Sequence, residues 1–172
     1  MFKEINSLKL FFEEPQREFH LRELSRIIKK NPVTIKKNLF EFVKIGILSR
    51  RKERGLEIYS SNTENFYYKE IKKIHNRFKI IDSGLLDFLK NEFNLPTIFL
   101  FGSFQRGEDN KNSDVDILVE VSKETTLFDL IDIKSELEKV LKKKVDLVEY
   151  KGIKSALRDS ILSSQLPIYQ SN

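Results

Sequence analysis

The sequence predicts an α+β chain built from two unlike halves, on three observations. Residues 21–45 carry apolar positions at helical spacing, then give way to two alternating β-type segments at 47–51 and 56–60. Residues 96–149 place strand-like runs at 97–101, 114–121 and 144–149, the last two separated by an amphipathic helical stretch over 127–142. Charge divides along the same line: residues 1–62 hold 14 Lys and Arg against 8 acids, 63–95 hold 6 against 5, and 96–172 hold 11 against 13. A basic first part suits a polyanion, while the slightly acidic last part does something else.

At 172 residues and 40% hydrophobic content the chain has material for one domain or two small ones with packed cores. It contains no cysteine, which removes a disulfide frame and thiolate metal ligands and argues against zinc. No apolar run approaches the ~18 residues of a membrane span. Lys9, Glu13 and Glu14 interrupt the N-terminal stretch that would otherwise read as a signal peptide. The expectation is a cytoplasmic chain with no membrane partner.

Phe19 and His20 suit a short strand ahead of the first predicted helix, where Leu21, Leu24, Ile27 and Ile28 recur at helical spacing up to Lys29-Lys30-Asn31. Pro32 suits the first position of the next helix, with Asn31 as its N-cap. In that second helix Ile35, Leu39, Phe42 and Val43 form the buried stripe, leaving Thr34, Lys36, Lys37 and Asn38 toward the open side, and Gly46 ends it. The hairpin then turns at Glu53-Arg54-Gly55.

Helix, short turn, helix and basic hairpin resemble the winged helix-turn-helix of bacterial and archaeal regulators. By that resemblance residues 1–62 form a module for double-stranded DNA, with the helix from Pro32 in the major groove and the hairpin along the backbone. Thr34, Lys36 and Lys37 are the groove candidates; Arg50, Arg51, Lys52 and Arg54 are the phosphate candidates. The competing reading is a solvated cationic face on a protein-interaction module.

Residues 63–95 read as a helical linker, with Phe66, Ile71, Ile74, Phe78 and Ile81 apolar, a break at Ser83-Gly84, and a further helix from Leu85. Its aromatic residues, Tyr67 and Tyr68 among them, could instead form a homodimer surface.

Residues 96–172 carry the chemistry. Thr97-Ile98-Phe99-Leu100-Phe101 reads as a buried strand ending at Gly102, so Ser103 sits where strand turns into helix. A glycine there lets the backbone approach a phosphate, Ser103 adds a hydroxyl, and Arg106 adds a positive charge one turn on. Arg106 could equally be a surface partner of Glu108 or Asp109. In the following strand Asp114 and Asp116 share a face, roughly 6.5 to 7 Å apart along the backbone. A third strand would bring Asp146 to within about 5 Å laterally. Three carboxylates this close suit a divalent cation, and magnesium takes hard oxygen ligands at about 2.1 Å, one or two carboxylates combining with substrate phosphates. The stretch 127–142 would cross between the second and third strands with Leu127, Leu130, Ile131, Leu137, Val140 and Leu141 as its apolar face. Gly152–Ser164 reads as a last helix and Leu166–Tyr169 as an extended end.

Gly102-Ser103-Phe104-Gln105-Arg106-Gly107 with Ser113-Asp114-Val115-Asp116 resembles the signature of the minimal nucleotidyltransferases of the DNA polymerase β superfamily. Gln105 departs from it, standing where members usually carry a small residue. The resemblance implies a small mixed sheet flanked by helices, ATP as substrate and Mg²⁺, or Mn²⁺, as cofactor. It also implies Gly102, Ser103 and Arg106 at the nucleotide, Asp114, Asp116 and Asp146 as metal-binding catalytic carboxylates, and Asp146 as the proton acceptor. End to end, the order of parts is similar to archaeal chains that fuse a winged helix to such a domain. The expected activity is transfer of a nucleoside monophosphate, AMP from ATP, to a hydroxyl, coupled to DNA binding. Two alternatives follow: a regulator whose C-terminal domain senses nucleotide without turnover, and an antitoxin that transfers AMP to a HEPN ribonuclease toxin.

Overall fold

The computed structural model describes residues 2–93, 97–123, 125–153 and 167–170. They fall into two compact units, Met1–Lys72 and Lys73–Asn172. Among the described residues no helix is long and apolar enough to cross a membrane.

The first unit holds α1 (Phe2–Glu13), β1 (Phe19–His20), α2 (Leu21–Ile28), α3 (Pro32–Lys44), β2 (Leu48–Glu53), β3 (Leu56–Ser61) and the start of α4 (Phe66–Asp82). The strands pair antiparallel in the order β1-β3-β2. α1 has no counterpart in the pattern read from sequence, yet it supplies Leu8, Phe11 and Phe12 to a core shared with Phe19, Leu24, Ile35, Leu39, Tyr59 and Tyr68. The Phe11 carbonyl lies in the last turn of α1, where a helix leaves carbonyls unpaired. It accepts hydrogen bonds from Ser61 Oγ at 2.9 Å and from Tyr68 Oη at 2.8 Å.

α3 starts as its sequence dictates: Pro32 occupies the first turn and Asn31 Oδ1 accepts from the Val33 N–H at 2.8 Å. Ile35 and Leu39 are buried, and Phe42 and Val43 pack half-buried beside them. Between β2 and β3 the pair Glu53–Leu56 closes a two-residue turn in which Arg54 and Gly55 both take positive φ, +48° and +81°. That conformation matches the strand twist and accounts for the glycine. Beyond Leu48 every residue of β2 is exposed, whereas Ile58 and Tyr59 of β3, the central strand, are buried.

The second unit contains the rest of α4, α5 (Leu85–Phe93), β4 (Thr97–Phe101), α6 (Gly102–Arg106), β5 (Val115–Glu120), α7 (Leu127–Leu141), β6 (Val145–Glu149) and β7 (Pro167–Gln170). Its mixed sheet has the order β6-β5-β4-β7, with β5 and β6 parallel and the other pairs antiparallel. Ile80, Leu85, Leu89, Ile98, Leu100, Ile117, Val119, Ile133 and Leu137 form the core. The segment expected as a linker therefore feeds both cores, Tyr68 and Ile71 the first, Ile80, Leu85 and Leu89 the second.

α7 opens with a capping box, Thr126 and Asp129 each satisfying the other's backbone N–H. Its buried stripe differs from the expected one. Ile133, Leu137 and Leu141 face the core with Leu130 beside them, whereas Leu127, Ile131 and Val140 lie outward. At 3.6 residues per turn 130, 133, 137 and 141 align on one side, and 127 and 131 fall on its flank. After β6 comes a short 3₁₀ turn, Tyr150–Gly152. The helix expected to follow, up to Ser164, lies outside the described residues except for its first two positions. The extended C-terminal segment is present as β7, an edge strand that begins with proline, which edges tolerate.

Candidate active site

The sheet register builds the site. Phe101, the last residue of β4, pairs with Asp116, and Asp116 pairs in turn with Asp146 on the parallel strand β6. Asp114 lies in the loop just ahead of β5 rather than in the strand, two residues before Asp116. Asp116 is half-buried, while Asp114 and Asp146 are exposed at the rim.

Gly102 leaves β4 with φ at +68°, and a Cβ built on it would lie 1.9 Å from Asp116 Oδ2 and 2.6 Å from Asp116 Cγ. Only glycine allows that approach. The close neighbour of Gly102 is thus a carboxylate of the site itself, a reason for glycine that the phosphate argument from sequence did not contain.

The electrostatics report the same convergence. Burial pushes the Asp116 carboxyl above its ordinary range, and the charges of Asp146 and then Asp114 push it further. Arg106 and the Ser103 backbone N–H, which donates to the carboxylate, pull the other way. Asp114, Asp146, Ser103 and Arg106 therefore all act on Asp116 in the fold. Arg106 also pairs with Glu108, Nε to Oε2 at 2.8 Å, which is the surface partnership read as its alternative role.

Among the described residues no group of three or more His, Cys, Asp or Glu is placed so that it could hold a metal ion. Carboxylate oxygens are the hard donors a divalent cation takes, and a cation would relieve the repulsion that Asp146 and Asp114 exert on Asp116.

Two supports were not legible from sequence. Asn76, buried on α4, donates from Nδ2 to the Phe104 carbonyl at 2.9 Å and to the buried Asp109 carboxylate at 2.7 Å. This ties the start of the α6–β5 loop to a helix. On the other side Lys143 Nζ donates to three carbonyls of the same loop, those of Asn110, Lys111 and Ser113. Lys143 is the middle of three consecutive lysines, and nothing in the sequence distinguishes it.

The profile of the family described as polymerase beta, nucleotidyltransferase matches residues 84–172. The chain belongs to this family. It is a nucleotidyltransferase of the polymerase β family whose family-matched region spans the whole of the candidate site. A Methanocaldococcus jannaschii relative, provisionally named a protein adenylyltransferase, is 44% identical over 69 residues, 40% of this chain and 74% of its own. Protein adenylyltransferase MntA of Thermococcus cleftensis is 38% identical over 74 residues, 43% of this chain and 75% of its own. A crystal structure of a toxin–antitoxin with AMP-PNP shares 28% identity over 56% of this nucleotidyltransferase and 75% of that chain, with a TM-score of 0.46.

The Thr34, Lys36, Lys37, Arg50, Arg51, Lys52 and Arg54 group lies in the first unit, and all seven are exposed. Their pairing is uneven. Lys36 and Arg50 share Glu57, at 2.8 and 3.6 Å, and Arg51 is held by Glu18 at 2.6 Å and by Glu53. Among the described residues Lys37, Lys52 and Arg54 have no acidic partner. A groove of about 850 Å³ runs between α2 and the hairpin, lined by Arg22, Arg26, Ile27, Lys36, Lys52 and Leu56 among others.

Proposed function

We propose that the enzyme transfers AMP from ATP to a hydroxyl of a protein. The convergence of Asp114, Asp116 and Asp146 in front of Gly102-Ser103 carries this reading. The adenylyl group and the protein acceptor are supported by what the relatives are named. Asp116, with Asp114 beside it, would hold a divalent cation, and Asp146 would complete the set. When bound, that cation supplies charge neutralisation for the triphosphate and the departing pyrophosphate. Ser103 and Arg106 would grip the phosphates, the hydroxyl as a donor and the guanidinium as a fixed charge. The acceptor oxygen forms a bond to the α-phosphorus, the bond to the bridging α–β oxygen breaks, and pyrophosphate leaves. Asp146, exposed at the rim, takes the acceptor's proton.

Incubation with ATP labelled at the α-phosphate, Mg²⁺ and a cell extract should label a protein acceptor. A HEPN-type ribonuclease is the acceptor to try first. Asp114→Ala and Asp116→Ala variants that label as well as wild type would overturn the reading.

A second reading concerns the first unit and rests on its exposed basic strand β2 and the adjoining groove. We read this unit as a winged helix that binds double-stranded DNA. The ion pairs move the contact set away from Arg50 and Arg51 and toward Lys37, Lys52 and Arg54, with Arg22 and Arg26 at the groove. A gel-shift titration with genomic fragments tests it, and absence of binding at low salt removes it.

A further inference from the structure

We infer that Lys143 is a positioning residue for the transfer reaction: its ammonium pins the loop that presents Asp114 and so sets the distance between Asp114 and the Asp116–Asp146 pair. The inference rests on the reading of those carboxylates as the metal-holding set.

The geometry is specific to a lysine. An ammonium has three N–H donors and no acceptor. Lys143 Nζ reaches three loop carbonyls, Asn110 at 3.3 Å, Lys111 at 2.9 Å and Ser113 at 3.1 Å. The last of these belongs to the peptide that leads directly into Asp114. The loop is preorganised to offer them. The Ser113 N–H donates to the Asn110 carbonyl at 3.1 Å, the Asn110 N–H donates to Ser113 Oγ at 2.9 Å, and the Asn112 N–H donates to Asn110 Oδ1 at 2.9 Å. The same ammonium stands 5.4 Å from the ring centroid of Phe104, the residue after Ser103.

Lys143 also sits just ahead of β6, three residues before Asp146. One short segment thus delivers the third carboxylate to the sheet and clamps the loop carrying the first. Asp116 feels repulsion from both neighbours. A tie from the β6 side to the Asp114 loop keeps that repulsion from spreading the site apart. Such support around a ligand set commonly changes metal affinity by about 10- to 100-fold.

The test is Mn²⁺ binding, followed by electron paramagnetic resonance, to the full chain with a non-hydrolysable ATP analogue present. Lys143→Met should weaken Mn²⁺ binding about 10-fold or more, and Lys143→Arg, which keeps charge and donors, should recover part of the loss. Hydrogen–deuterium exchange of the amides at 110–114 should rise in the Met variant while the melting transition is retained. Wild-type Mn²⁺ affinity and unchanged exchange in Lys143→Met would overturn the inference and leave the proposed function standing. A wild-type protein that binds no Mn²⁺ overturns both. If Lys143→Met does not fold, Lys143→Gln carries the comparison; if neither folds, the lysine is a folding determinant and the inference fails.

Discussion

The backbone of Gly102 and the carboxylate of Asp116 are in such close contact that the smallest side chain at residue 102 would overlap Asp116 Oδ2, at 1.9 Å. With φ at +68° the position is also left-handed, where an L side chain costs about 1–3 kcal/mol. Gly102→Ala should therefore lose stability by at least that amount and displace Asp116. Chemical denaturation measures the first, and loss of the Mg²⁺-ATP-dependent thermal shift measures the second.

Asp116 gives the metal-free protein a pH dependence whose sign is fixed. Its carboxyl holds a proton more tightly in the folded state than the ordinary value near 3.8 allows, so the native state binds more protons than the unfolded one. That contribution is present below the ordinary value and is lost as pH rises through the folded one. Denaturation in EDTA from about pH 4 upward should show it. Asp116→Asn should flatten the trend, keep an acceptor for the Ser103 N–H, and abolish AMP transfer.

Asn76 bridges a carbonyl and a carboxylate in a buried place. Asn76→Ala removes the donor to Asp109, and a hydrogen bond to a charged group is worth about 1.5–3 kcal/mol. The expected result is that loss in denaturant unfolding, with a lowered transfer rate because the α6–β5 loop loses one anchor.

In the first unit, charge reversals should separate by pairing. Lys37→Glu and Lys52→Glu should each weaken duplex binding and reduce the salt-dependence slope by about one. Arg51→Glu should change DNA affinity less, since Glu18 and Glu53 already occupy that guanidinium. Gel-shift titrations at several salt concentrations distinguish these outcomes.

The candidate site was legible because its signals are local. Gly102-Ser103, the spacing of Asp114 and Asp116, and the β-type run around Asp146 each carry their own pattern, and the strand register then follows from alternation. The turn at Arg54-Gly55 and the cap at Asn31 were legible for the same reason. α1 was not, because Lys9, Glu13 and Glu14 hid the stripe of Leu8, Phe11 and Phe12. Nor were Asn76 or Lys143, whose partners lie across the fold and depend on tertiary placement. The outward turn of Leu127 and Ile131 depends on which flank of α7 the sheet covers, and hydrophobicity alone does not decide it.

The parallel pairing of β5 with β6 across α7 has a consequence for biogenesis. Asp116 leaves the ribosome before Asp146, and the two strands are joined by a crossover, a non-local and therefore slow kind of pairing. A chain synthesised only to the end of β5 carries Asp114 and Asp116 without Asp146 beside them. On the proposed function, an acidic set that needs Asp146 would be complete only once β6 has joined the sheet.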